Sequence, residues 1–178
     1  MKAISLIVIC SFLTNVAWAQ ESKIMEDGET MEYNGLRVGY RITNVSTREV
    51  GKEIFDRYTI SAFVTNFSPC EVGIRLTGNE RVGFINDQML RLATFDCLNA
   101  TGARLTSRTL DITLRNDPVY FTHRYEVKLP DGRTETRADN IIVGYMLPRN
   151  RTRENSFIVL VPRGEKPQIR VTVFPQMN

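Results

Sequence analysis

Residues 57–76 read RYTISAFVTNFSPCEVGIRL and determine the fold class. Apolar side chains occupy every second position from Tyr58 to Val64, with Arg57, Thr59 and Ser61 between them. After a turn at Asn66-Phe-Ser-Pro69, the same alternation returns from Cys70 to Leu76. A period of two places one face of a strand on a core and the other in water, as in antiparallel sheets. The stretch therefore predicts two β-strands joined by a turn.

The same period of two recurs along most of the chain. Residues 36–42, 119–129 and 169–173 alternate in this way, and Pro130-Asp131-Gly132 is a hairpin signal. We expect about eight or nine strands in an all-β, antiparallel β-sandwich, either immunoglobulin-like or jelly-roll, with a closed barrel as the alternative. In its strand–turn–strand layout, residues 57–76 resemble a bacterial immunoglobulin-like domain, which implies the same architecture.

The first 19 residues are predicted to be a cleaved signal peptide. A basic start at Lys2 precedes an apolar run, Ala3 to Leu13, and Ala17-Trp18-Ala19 is a small-x-small cleavage site. The apolar run is too short to span about 30 Å of hydrocarbon. We therefore expect a secreted or periplasmic protein that does not span a membrane.

Removal of the signal changes the composition of the chain. The mature protein has 159 residues, and loss of Lys2 lowers the net charge from +3 to +2, which gives no reason to expect nucleic-acid binding. Residues 20–34 carry a net charge of −4 and little periodicity, so we expect an acidic flexible leader followed by a single domain over 35–178. Four glycosylation sequons, whose use depends on the host, begin at Asn44, Asn66, Asn99 and Asn150.

Two cysteines, Cys70 and Cys97, remain after removal of Cys10. An even number of cysteines in an exported chain favours a disulfide between them. The alternatives, a catalytic thiol or a metal pair, have little support because His123 is the only histidine.

Few side chains suggest chemistry. No nucleotide-binding or metalloprotease motif occurs, so no catalytic residue, metal or cofactor is expected. A possible anion or partner site is the arginine cluster Arg149, Arg151 and Arg153, since guanidinium groups bind carboxylates, sulfates and phosphates in bidentate fashion. A weaker polar candidate is His123-Arg124-Tyr125, although His123 falls on the set predicted to face inward, which favours a half-buried structural histidine.

These observations favour a non-catalytic exported protein that binds a protein partner at the cell envelope or outside the cell. A carbohydrate-binding module, or a glycan-active accessory protein or enzyme, is the first alternative. The absence of tryptophan from the mature chain weakens it, because sugars stack on aromatic platforms. A pilin-like structural subunit completed by a donor strand is the second alternative.

Overall fold

The described part of the chain consists of eleven β-strands and no α-helix. A computed structural model describes residues 20–76, 86–98 and 104–175, with backbone alone over 104–108. The predicted signal peptide at 1–19 and the sequon at Asn99 lie outside these ranges. The strands are β1 Glu21–Met25, β2 Thr30–Tyr33, β3 Leu36–Val50, β4 Glu53–Asn66, β5 Val72–Arg75, β6 Arg91–Leu98, β7 Arg104–Thr113, β8 Pro118–Lys128, β9 Thr134–Leu147, β10 Thr152–Pro162 and β11 Gln168–Val173.

The strands form three sheets, and all neighbouring strands within them are antiparallel. Sheet A has the order β1-β11-β6-β7, sheet B has β10-β4-β3-β2, and sheet C has β5-β9-β8. The all-β prediction is confirmed, and Gly132, with φ +83°, lies in the predicted turn between β8 and β9. Within the described ranges, no helix has the length and apolar composition needed to cross a membrane.

One hydrophobic core joins the three sheets. Sheet A contributes Phe95 and Val171, sheet B contributes Val38 and Ile60, and Leu147 enters from sheet C. All five side chains are essentially inaccessible to water. Burial of a Val, Leu, Ile or Phe side chain stabilises a fold by about 1.5–3 kcal/mol, so this cluster is the main source of stability.

Residues 20–34 differ from the predicted flexible leader, because β1 and β2 lie in this segment. Met25 and Met31 are buried, and the Tyr40 hydroxyl donates a hydrogen bond to the Met25 carbonyl at 2.9 Å. Burial raises the pKa of Tyr40 to about 12, so this donor keeps its proton at neutral pH. The β2–β3 turn is Asn34-Gly35, with φ of +48° and +77°, which is the positive-φ pair that a tight hairpin requires.

The predicted disulfide between Cys70 and Cys97 is not formed in the structure. Cys97 is on β6 with its side chain fully buried in the core. Cys70 is exposed in the turn that precedes β5. The even number of cysteines and the predicted export favoured a disulfide. The fold, however, places Cys97 in the core and Cys70 in a surface turn.

Asn66 is a fully buried polar residue at the end of β4. Its Nδ2 donates to the carbonyls of Cys70 and Leu147, both at 2.9 Å. Its Oδ1 accepts from the Ser68 amide at 2.9 Å and from the Ser68 hydroxyl at 2.7 Å. Its backbone exchanges hydrogen bonds with the turn before β10, donating to the Arg151 carbonyl and accepting from the Asn150 amide. The Asn66 side chain thus fastens the end of β9 and the approach to β5 to the end of β4, and the Asn66 backbone holds the start of β10.

Replacement of this side chain is expected to be costly. In Asn66→Ala, the buried Leu147 carbonyl loses this donor and the part-buried groups at Ser68 and Cys70 each lose a hydrogen bond, so the free energy of unfolding should fall by about 3 kcal/mol. Urea unfolding of the 20–178 chain measures it.

Asn44→Ala is the matched control, since Asn44 is exposed on β3. Its free energy of unfolding should stay within about 0.5 kcal/mol of the parent value. Equal, small losses in the two variants would contradict the role given to Asn66.

Candidate functional site

The β8–β9 hairpin extends beyond the core as a two-stranded arm, residues 120–141. Near its base, Gly144 on β9 is buried, whereas every residue of β9 from Thr134 to Ile141 is exposed. On β8, Tyr120 to Arg124 are also exposed. An isolated two-stranded hairpin is marginally stable in water, so two open faces on a hairpin of this length require explanation.

One side of the arm carries Phe121 and Ile141, whereas Tyr120, which is 58% exposed, lies on the other side. This arm face consists of three cross-strand pairs: Phe121 with Ile141, His123 with Asp139, and Tyr125 with Arg137. Phe121 is 57% exposed and Ile141 is 45% exposed. Two large apolar side chains that lie directly opposite each other on paired strands form a continuous hydrophobic surface. On soluble proteins, a large exposed surface of this kind marks a contact site.

The other two cross-strand pairs of the arm face, His123–Asp139 and Tyr125–Arg137, are polar. The rings of His123 and Tyr125 are stacked, with centroids 5.7 Å apart and planes 19° apart. The Tyr125 hydroxyl hydrogen-bonds the Asp139 carboxylate, which raises the pKa of Tyr125 above its ordinary value. The arm face therefore combines an apolar end with an ordered aromatic and ionic end.

The structure separates the predicted His123-Arg124-Tyr125 site. Because side chains alternate along a strand, Arg124 lies on the opposite face of the arm, across from Ala138. The inward orientation predicted for His123 is wrong: His123 is exposed, because no other sheet covers this part of β8. Asp139 lies opposite His123 across the two strands, but its carboxylate is hydrogen-bonded to Tyr125.

The predicted arginine cluster is also divided. Arg149 and Arg151 are exposed in the turn before β10, where Asn150, exposed as well, has φ +58°. Arg153 instead pairs with Asp117, to which its Nε donates at 2.5 Å. Asp117 is 9% exposed, so this pair joins β10 to the start of β8. Arg153 therefore has a structural contact that Arg149 and Arg151 do not share in the part of the chain that the structure describes.

Strand β8 forms the outer edge of the arm. β8 is the last strand of sheet C and pairs with β9 along its inner side, from Pro118 to Lys128. Edge strands present backbone N–H and C=O groups that can pair with another chain, and natural proteins protect long ones. In the described residues, neither face of the arm nor this edge is covered by another element of the chain.

Phe121 and Ile141 are not among the site residues predicted from the sequence. The available signal was the run TETRADN at 134–140, which pairs with residues 122–128. This run is almost entirely charged or polar and has too little apolar surface to pack against a core. Within the described ranges, no three His, Cys, Asp or Glu side chains are grouped so that they could hold a metal ion.

Comparison of the chain with protein-family models, with curated proteins and with solved structures finds no match.

The arm should open more readily than the core sheets. Backbone amides that pair 122–128 with 134–140 should exchange with deuterium through local opening, faster than those that pair 36–42 with 60–66, because exposed ladders lack packing. Hydrogen–deuterium exchange over a dilution series measures this. Equal, concentration-independent protection in the two ladders would contradict the description of an unsupported arm.

Proposed function

We propose that the chain is an exported, non-catalytic β-sandwich protein, immunoglobulin-like or jelly-roll in type, that binds a protein partner through the arm face. The sandwich assignment is supported by the part of the core that lies between sheets A and B, where β11 contacts β3, β6 contacts β4 and β7 contacts β10. Export is supported by the three-part signal pattern of residues 1–19.

The observation that carries the binding function is the pair Phe121–Ile141 on an arm whose two faces are open. Contact with a partner would remove these side chains from water and stabilise a hairpin that is marginal by itself. The partner is an extended protein segment that adds a strand to the β8 edge and places an apolar side chain against Phe121 and Ile141. Backbone pairing supplies affinity in this mode, and the apolar contact supplies specificity.

Site-specific crosslinking tests the arm face directly. A photoreactive amino acid replaces His123, which lies between Phe121 and Tyr125, in the full chain produced by its native organism. Irradiation should yield one dominant protein adduct. The further change Phe121→Ser with Ile141→Ser should reduce the yield of that adduct about tenfold, because anchors at the centre of an interface account for most of its affinity.

The matched control carries the same photoreactive group in place of Ile158, an exposed apolar residue on β10. It should give no adduct of the same mass. Equal adducts at both positions, no protein adduct at position 123, or an adduct unaffected by the two serine substitutions would refute arm-mediated binding. Unfolding curves of the variants establish that the fold is retained.

Export has a separate readout. If residues 1–19 are a signal peptide, the chain recovered from the envelope or medium should begin at Gln20, which N-terminal mass spectrometry determines. A chain in the cell interior with Met1 intact would refute export and leave the crosslinking result untouched. Replacement of Ala17 and Ala19 by Arg, which removes the small residues at the cleavage site, should abolish processing.

A further inference from the structure

The outward face of sheet A carries a polar groove with a volume of about 450 Å³, within the usual size range of ligand sites. Two cross-strand rows form its floor. Ser22, Thr172, Thr94 and Asp111 make the first row, and Arg170, Asp96 and Thr109 make the second. Arg91, Phe174 and Gln20 complete the described lining. The groove belongs to a different sheet from the arm face.

A β-bulge in β6 determines which side chain closes one end of the groove. Simple alternation from Asp96 and Thr94 would bring Leu92 to this surface. The pairing with β7 shifts between Arg91 and Ala93, so Leu92 turns into the core and Arg91 faces the groove. Bulges of this kind often re-aim a side chain next to a functional site.

The floor is held in one arrangement by hydrogen bonds. Thr94 donates to Asp111 Oδ1 at 2.6 Å, and the second oxygen of Asp111 pairs with Arg91 at 3.0 Å. The neighbouring Thr109 and Arg170 bind the two oxygens of Asp96 in the same way, at 2.8 and 3.2 Å.

Burial of these polar groups is unusual for the outside of a sheet. Thr94, Asp96 and Thr172 are at most 8% exposed, although polar side chains of these types are mostly exposed in proteins. Asp111, by contrast, is one-third exposed, and its carboxylate has about four acceptor positions, of which Thr94 and Arg91 take two. Arg170 is 41% exposed and uses one nitrogen on Asp96. Asp111 and Arg170 therefore offer an acceptor and donors, already oriented, to a molecule in the groove.

We propose that this groove binds a neutral carbohydrate, a short oligosaccharide whose hydroxyl groups bridge Asp111 and Arg170. The side chains of the described lining balance in charge, with two carboxylates against two guanidinium groups. An anion would face Asp96 and Asp111, and a cation would face Arg91 and Arg170, whereas a hydroxyl group both donates to carboxylate and accepts from guanidinium.

Phe174 supplies the apolar part of the site. Arg170, Thr172 and Phe174 follow one another on the groove side of the chain, so Phe174 and Arg170 are about 13 Å apart. The Arg91 guanidinium lies 5.4 Å from the centroid of the Phe174 ring and helps to fix it. A C–H face of one sugar ring stacks on Phe174 while hydroxyl groups further along the ligand reach Arg170.

Saturation-transfer NMR on the 20–178 chain tests the site, with maltotriose, cellotriose, mannotriose and diacetylchitobiose as neutral probes. Trigalacturonate is the anionic probe. At least one neutral probe should bind, and calorimetry should show its association constant reduced about tenfold in Asp111→Asn and in Arg170→Gln, since each removes a charge-assisted hydrogen bond. Two variants are used so that a failure of one to fold leaves the test decisive.

Arg133→Gln is the matched control, because it breaks an exposed ion pair with Asp131 at the tip of the arm. Its affinity for the neutral probe should equal that of the parent chain, as should that of the Phe121→Ser, Ile141→Ser variant. Binding of none of the neutral probes, binding of trigalacturonate alone, or equal affinity in parent and groove variants would overturn the proposal. None of these outcomes alters the crosslinking test of the arm face, so the two proposals fail independently.

Discussion

The buried amide of Asn66 is the interaction on which the arrangement of sheets B and C depends. Its two donor hydrogens and its acceptor oxygen bind backbone groups of two segments, the turn at 68–70 and the end of β9, and its own backbone binds a third, the turn before β10. A hydrophobic contact could not replace it, because the groups that it satisfies are backbone amides and carbonyls, of which the Leu147 carbonyl is buried and requires a hydrogen-bond partner. The amide also fixes where β9 leaves the core, since Leu147 is both its partner and the last residue of that strand. The direction of the arm is therefore determined at the opposite end of the strand from its tip.

The arm and the outward face of sheet A differ in how they expose the strand faces that do not lie on the core. A strand has two faces, and only one of them can lie on the shared core. On sheet A, the outward face is polar and fixed by hydrogen bonds, as in the pairs Thr94–Asp111 and Thr109–Asp96. On the arm, β8 and β9 extend past the core, so both faces are open and Phe121 lies in water. The first surface is ordered by its own hydrogen bonds, whereas we propose that the second gains order from contact with another molecule, and the two proposals therefore name different ligands.

Local patterning predicted the strands well and their surroundings poorly. Alternation from Tyr58 to Val64 marked β4 correctly, and Pro130-Asp131-Gly132 marked a true turn. The Asn34-Gly35 turn has an equally clear sequence signal, but the acidic residues around it suggested a flexible segment. Met25 and Met31 anchor that segment, and the polar residues between them hide the strand pattern. The orientation of His123 and the separation of Cys70 from Cys97 depend on which sheet covers which strand, and that information is not local. The groove had a faint signal, Thr-x-Asp at 94–96 and again at 109–111, which gains meaning only from the pairing of the two strands.

The position of Asn66 within a glycosylation sequon has a practical consequence for producing the protein. A glycan on Nδ2 would replace a donor hydrogen and place a bulky sugar inside the fold, so the folded state and a modified Asn66 exclude each other. In a eukaryotic secretory host, any chain modified at Asn66 before β4 and β9 meet would be lost to misfolding. Substitution of Ser68 would remove the sequon but would also affect the fold. The Ser68 hydroxyl donates to the Asn66 side chain or to the Cys70 carbonyl within the same turn. A host that lacks this modification spares both residues.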